Sequence, residues 1–452
     1  MALVISILGI IITILFVIGT HEAAHFMMAR ALSVRVITFS IGFGKTLFSW
    51  KDKSGTNYVF ALIPLGGYVK MVDENEGPVN DADKPYAYNR QPFYKKFLIV
   101  LAGPAMNIFC AFVLYWLIFM IGFTTLKPVT GDIAKNSIAA QAGLKPHQEI
   151  VSLDNRDVAS WINVIFRLLA HLGDKDQITI ESKDMKGDKI TSHTLNLKDW
   201  VVNDLKPDPL ESLGITPFEP TIPLIIGVIN PNSPASKAQL EKGDIILAWN
   251  GKKVKDWTEI IQTVHDNPDK SATITVKRNN KTLDIPLTIG SKRTFFLEKH
   301  GILGIGPKFT YPTELLREIK YPPIEALARS WHEIRDFTYF NILLFGKLFT
   351  GKLSVQSLGG PITIFETAGD ALNSGLIAFL GFLAFLSISI GIINILPIPG
   401  LDGGHLVLQI IELIIGRPIP ERTLTLLFRL GFIFILVLMF QSLFNDILRV
   451  YK

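Results

Sequence analysis

The sequence predicts a multi-pass α-helical membrane protein with a membrane-associated β-hairpin and two copies of a small α+β domain inserted between its spans. Three observations carry that prediction. The 452-residue chain is 48% hydrophobic and only 19% charged, with mean hydropathy +0.34, outside the balance of ordinary soluble domains. Four apolar runs can each cross the ~30 Å hydrocarbon core at ~1.5 Å per residue. A stretch between the second and third runs repeats itself at constant offset.

The first element, 1–30, is uncharged from Ala2 to Thr20 and ends in His21-Glu22-Ala23-Ala24-His25. On a helix, residues at i and i+4 share a face, so His21 and His25 can grip one zinc ion, with Glu22 beside the first ligand. An isolated HExxH also describes a surface histidine pair, but ionisable groups at the end of a lipid-buried run are costly and usually functional. Ala29-Arg30-Ala31 mimics a signal-peptide cleavage site. The run lacks a basic leader, is too long for that reading, and cleavage would discard the motif.

Segment 31–96, with Arg30 just before it, carries ten Lys and Arg residues. A short basic loop of this kind stays in the cytoplasm. Within it, 58–71 is apolar but too short and broken to span, and reads as a hairpin around Gly66-Gly67. Ile41-Gly42-Phe43-Gly44-Lys45 is expected in the same sheet. The second span is 97–123, and Gly103-Pro104 within it suits close packing on the first. The orientation then sets 124–375 outside, with both termini. No run of Lys and Arg interleaved with aromatics accompanies the net charge of +5, so nucleic acid is not an expected partner. The single cysteine, Cys110, excludes an intramolecular disulfide and a cysteine zinc site.

In the outer region Asn136-Ser137 through Leu144 aligns without gaps on Asn232-Ser233 through Leu240, and Trp161 falls on Trp257. The copies are placed at 127–218 and 220–308. Segment 311–375 holds an apolar stripe at Ile324, Leu327, Trp331, Ile334 and Phe337, expected to lie along the membrane surface or brace the repeat pair.

The third span, 376–396, ends in Asn394, Pro397 and Pro399, and 397–423 opens with Leu401-Asp402-Gly403-Gly404-His405. The prolines force the chain out of helix. Irregular backbone at this depth is tolerated only inside protein or beside a polar cavity. By parity, spans one and three both end at the cytoplasmic face, so Asp402 can meet the two histidines. A catalytic zinc takes three protein ligands and keeps one position open. Asp402 is the candidate third, with His405 its rival; a capping role for Asp402 on the following helix is the alternative. The fourth span is 424–444.

HExxH at the end of the first span, NxxPxPxLDGG after the third and the paired insertion together resemble the site-2 protease family, and SPAxxAxLxxGDxIxxxNG in the second copy resembles a PDZ domain. HEAAH stands where that family usually has HEFGH or HEAGH. The resemblance covers essentially the whole chain. It implies zinc on His21, His25 and Asp402, Glu22 as general base, and substrate-backbone contacts from Asn394 and from a membrane-dipping loop at Gly66 and Gly67. It also implies an inner-membrane zinc endopeptidase of Gram-negative bacteria. The expected substrates are single-span proteins: an anti-sigma-E factor after site-1 cleavage in envelope stress, and remnant signal peptides. The PDZ pair is expected to act as a size filter on the outer side, with Leu213-Gly214-Ile215 and Leu303-Gly304-Ile305 as candidate terminus-binding loops, a plain strand being the alternative for each. The rival class is a non-catalytic membrane scaffold that binds envelope proteins through the PDZ pair.

Overall fold

The computed structural model describes residues 2–75, 77–173, 175–185, 187–202, 208–293, 299–351 and 359–450. The expected PDZ segments and the 311–375 segment therefore each fall partly outside the described residues. Two compact units are present. One comprises residues 1–216 and 318–452, the other 217–317.

In the first unit, α1 (Ala2–Ala31) is followed by strands β1 (Val36–Lys51) and β2 (Asn57–Met71), then α2 (Phe93–Ile121). The hairpin turn lies at 52–56. There Asp52 accepts from the backbone N–H groups of Ser54 and Thr56, each at 2.9 Å, as aspartates do in tight turns. This corrects the expectation of a hairpin around Gly66-Gly67. Ile41 is partnered by Phe60 on one side and by Gly67 on the other. The chain at 64–66 thus carries β2 from one flank of β1 to the other, and its two arms do not pair. Membership of Ile41 in the same sheet is as expected.

The first repeat holds α3 (Ile138–Gln141), α4 (Trp161–Ala170) and α5 (Pro209–Leu213). Its four-stranded sheet encloses Ile150, Leu153, Leu168, Ile178, Ile180 and Leu195, all essentially without solvent contact. In the second unit, α6 (Pro234–Lys237) and α7 (Trp257–His265) pack on an equivalent sheet over Ile246, Trp249, Ile260 and Ile274. The constant offset in sequence is therefore matched in the structure by α3 with α6 and α4 with α7, each beside a four-stranded sheet. Ser137 and Ser233 each cap their short helix through Oγ. Gly214 and Gly304 have φ of 81° and 78°. A Cβ on either would lie 2.2 or 2.3 Å from the capping serine's Cβ, so both tolerate only glycine.

Back in the first unit come α8 (Pro323–Phe349), α9 (Pro361–Ser374), α10 (Leu376–Ile395), α11 (Asp402–Ile415) and α12 (Glu421–Val450). Among the described residues, four helices are long and apolar enough to cross a membrane: 4–31, 93–121, 376–395 and 421–448. Val17, Leu114, Tyr115, Ile118, Phe379, Leu383 and Ile388 form the core shared by α1, α2 and α10. The first repeat rests on this core: Phe166 of α4 meets Phe337 and Phe340 of α8 at 5.1 and 4.8 Å between ring centres.

The predicted stripe on α8 divides. Ile334 and Phe337 are buried, whereas Ile324 and Trp331 are 84% and 62% exposed. Ala326 and Ser330 take the inner positions instead. Small residues let helices approach, while large apolar ones are equally at home against lipid.

Candidate metal centre

α1 is continuous through the HExxH, so His21 and His25 stack on one face, their ring centres 4.8 Å apart. The irregular segment after α10 then brings Asp402 to them. Gly403 and Gly404 make this possible: a Cβ on Gly403 would lie 2.2 Å from the carbonyl oxygens of Ile395 and Leu396, and one on Gly404 2.4 Å from that of Ile398. The loop is folded against the first turn of α11, and no side chain fits between. Further along α11, Gln409 donates to the Tyr88 hydroxyl at 2.9 Å, holding the helix to the segment before α2.

Three donor atoms converge. His21 Nε2 and His25 Nε2 are 3.2 Å apart, and Asp402 Oδ2 lies 3.1 and 3.4 Å from them. A tetrahedral zinc with ligands at about 2.0–2.1 Å holds its donors about 3.3 Å apart, so the three separations fit the ion. Asp402 Oδ2 is buried and has no hydrogen-bond donor among the described residues, a costly state unless a cation answers it. Among the described residues this is the one His, Cys, Asp and Glu group with metal-binding spacing. Burial opposes ionisation of Asp402, but the two imidazoles outweigh it and hold its carboxyl well below the usual range.

The capping alternative is not what the fold uses. Leu401 occupies the N-cap of α11, and no side chain caps it. His405 is turned away and packs on Phe428 at 4.7 Å; it is outside the donor cluster.

Glu22 sits one residue from His21 on the side of the sheet. A Cβ on Gly67 would lie 2.7 Å from Glu22 Cγ and 2.7 Å from the Ser40 carbonyl oxygen, so bare backbone runs directly over the carboxylate. Asn394 lies in the last turn of α10, half-buried, and its amide makes no hydrogen bond among the described residues.

Three contributions are not assigned by sequence reasoning. Gly103 reads there as a packing residue; a Cβ on it would lie 2.2 Å from His25 Nε2 and 2.7 Å from His21 Cε1. Its missing side chain is the seat of both rings. The Ile99 carbonyl oxygen lies 2.7 Å from His25 Nδ1, and the Asn107 side chain 3.3 Å from His21 Nδ1. The interrupted Leu101-Ala-Gly-Pro-Ala-Met-Asn107 run is the available signal.

The model of peptidase family M50 matches residues 9–438 of the chain. The regulator of sigma-E protease RseP of Salmonella typhimurium is 38% identical over 98% of this chain and 97% of its own length. The protein of that name from Escherichia coli K12 is 39% identical with the same coverage. A Vibrio cholerae protein described as a zinc metalloprotease is 35% identical over 98% of both chains. Among solved structures, a PDZ domain of an SdrC-like protein from Listeria monocytogenes matches 20% of this chain and 93% of its own, at 18% identity and a TM-score of 0.17.

Proposed function

The chain belongs to peptidase family M50 and is a zinc metalloprotease, and from that premise we propose that it cuts single-span membrane proteins within or beside their membrane segment. His21, His25 and Asp402 hold the zinc in this reading, and Glu22 is the general base. The observation that supports it is the convergence of two imidazole nitrogens and one carboxylate oxygen within 3.4 Å at the end of a membrane-spanning helix.

Zinc bound there supplies a Lewis acid for the scissile carbonyl and lowers the pKa of the attacking water. Glu22 takes the proton as the water adds and returns it to the departing amide nitrogen. A substrate helix hides its peptide bonds in its own hydrogen bonds, so it must be extended before cleavage. The backbone at Gly66-Gly67 runs past Glu22 and offers strand pairing to such an extended segment. Asn394, whose amide makes no hydrogen bond among the described residues, supplies a second set of backbone bonds.

The relatives' names tie those proteins to the regulation of sigma-E; in keeping with that, the substrate in this reading is an anti-sigma factor, admitted after a first cut outside the membrane, and remnant signal peptides have the same single-span form. The protein sits in the inner membrane, with both PDZ domains and both termini periplasmic and the site near the cytoplasmic face. The repeat pair screens out substrates with bulky outer domains.

The test is turnover of a reconstituted single-span substrate by the wild type and Glu22→Gln, with zinc content measured in both. Glu22→Gln should keep its zinc and lose cleavage; equal cleavage would overturn the mechanism. Asp402→Ala should lose zinc, and unchanged zinc would remove it from the ligand set.

A further inference from the structure

Each imidazole that gives one nitrogen to a metal needs a partner on the other. His25 has one. Its Nδ1 lies 2.7 Å from the Ile99 carbonyl oxygen, an acceptor that only an Nδ1–H can satisfy, so Nε2 keeps its lone pair. His21 differs. Its Nδ1 faces the Asn107 side chain with the amide nitrogen toward the ring at 3.3 Å, while Asn107 Oδ1 is buried with no donor among the described residues. That orientation asks His21 to accept at Nδ1 and carry its proton on Nε2, the atom that faces His25 and Asp402. A proton on Nε2 excludes ligation through it.

The amide's oxygen and nitrogen are nearly alike in size, and a half-turn about its last bond exchanges them without moving the helix. As placed, Asn107 Oδ1 has no donor among the described residues that would hold the present orientation, so the need of His21 decides between them. We propose that Asn107 is a positioning residue of the metal centre: its Oδ1 accepts from His21 Nδ1–H and fixes the tautomer that leaves Nε2 free for zinc. The proposal rests on His21 being a ligand.

The surroundings of Asn107 suit that task. It has 0% exposure, so water cannot substitute for it. It stands four residues after Gly103, one turn along the same face of α2, so a single helix face seats both rings and supplies their outer contacts. From behind, α10 closes on it without a side chain: a Cβ on Gly391 would lie 3.3 Å from Asn107 Cβ. The amide is held from two sides and aimed at one nitrogen.

The experiment measures zinc affinity by chelator competition on the full-length protein in detergent, with melting temperature of the zinc-stripped form recorded beside it. Asn107→Leu fills the space and removes the acceptor; its zinc affinity should fall roughly 10- to 100-fold. Asn107→Asp presents only acceptors to the ring and should bind zinc within about threefold of wild type or more tightly, though the buried charge lowers the melting temperature of the stripped protein. A role in packing alone would make Asn107→Asp the worse variant in both measurements. If Asn107→Leu does not accumulate, Asn107→Ala removes the same acceptor and carries the same expectation. Wild-type affinity in Asn107→Leu or Asn107→Ala, or a loss in Asn107→Asp equal to that in Asn107→Leu, overturns the inference. His21→Ala is the control: if it binds zinc as wild type does, the ligand assignment fails, and if it loses zinc while the Asn107 variants do not, only the positioning role fails.

Discussion

Gly103→Ala adds one methyl group to the helix behind the candidate metal centre. That methyl would lie 2.2 Å from His25 Nε2, 2.6 Å from His25 Cε1 and 2.7 Å from His21 Cε1. Carbon and nitrogen in ordinary contact sit about 3.5 Å apart, so the His25 ring would have to retreat by about 1.3 Å. It cannot do so freely, because its Nδ1 is tied to the Ile99 carbonyl on the same helix as the new methyl. Ligand geometry tolerates displacements of about 0.5 Å, and an error of about 1 Å at a reacting centre costs on the order of 10²-fold in rate. Gly103→Ala should therefore lose zinc affinity and turnover by about two orders of magnitude or more.

The same change has the opposite effect on α2 itself, since alanine is favoured over glycine in a helix interior by ~1 kcal/mol. Helix content by circular dichroism should hold while zinc retention, read by chelator competition, collapses. A Gly103→Ala protein that keeps wild-type zinc affinity and cleaves a single-span substrate within about threefold of wild type would refute the role of this glycine as the seat of the rings.

Glu333 on α8 gives a pH prediction. Burial and the neighbouring Asp336 push its carboxyl up to about 7, against the opposing pull of Arg167 on the first repeat. Its protonated form is the one the fold prefers, so this stability is fully present below the ordinary value near 4.5 and is lost as pH rises through about 7, by at most ~3 kcal/mol. Melting temperature of the wild type should fall between pH 5 and 8, and Glu333→Gln should flatten that slope; an equal slope in the variant would rule Glu333 out. Asp446 near the end of α12 accepts from the N–H groups of Gly360, Ile362 and Thr363 at 2.9, 3.0 and 3.2 Å, and from the Thr363 hydroxyl at 2.6 Å. It caps α9 from another helix, and Asp446→Ala should cost about 2–3 kcal/mol. Amide exchange at Ile362 and Thr363 should quicken by more than tenfold, and unchanged protection would show that the cap is dispensable.

What the sequence exposes here and what it hides follow from the range of the interaction. His21 and His25 are legible because helical periodicity alone puts them together. Asp402 is legible because the parity of apolar runs settles which ends share a membrane face, and prolines and glycines mark its segment as irregular. The two repeats are legible because each residue type answers to the same local turn in both copies, down to Ser137 with Gly214 and Ser233 with Gly304. Contacts between elements leave weaker marks. Gly66-Gly67 looks like a turn because glycines usually make turns, yet Gly67 is small so that backbone can lie on Glu22, while Asp52 makes the turn. On α8, hydrophobicity does not separate the face packed on protein from the face left outward, because a membrane protein uses apolar side chains for both. Gly103 and Asn107 belong with these hidden cases. Their partners are 78 and 86 positions away in the chain (Gly103 to His25, Asn107 to His21), and only the crossing of α1 and α2 joins them. The proposed ligands are thus set by local rules, and their precision by a helix face that supplies none of them.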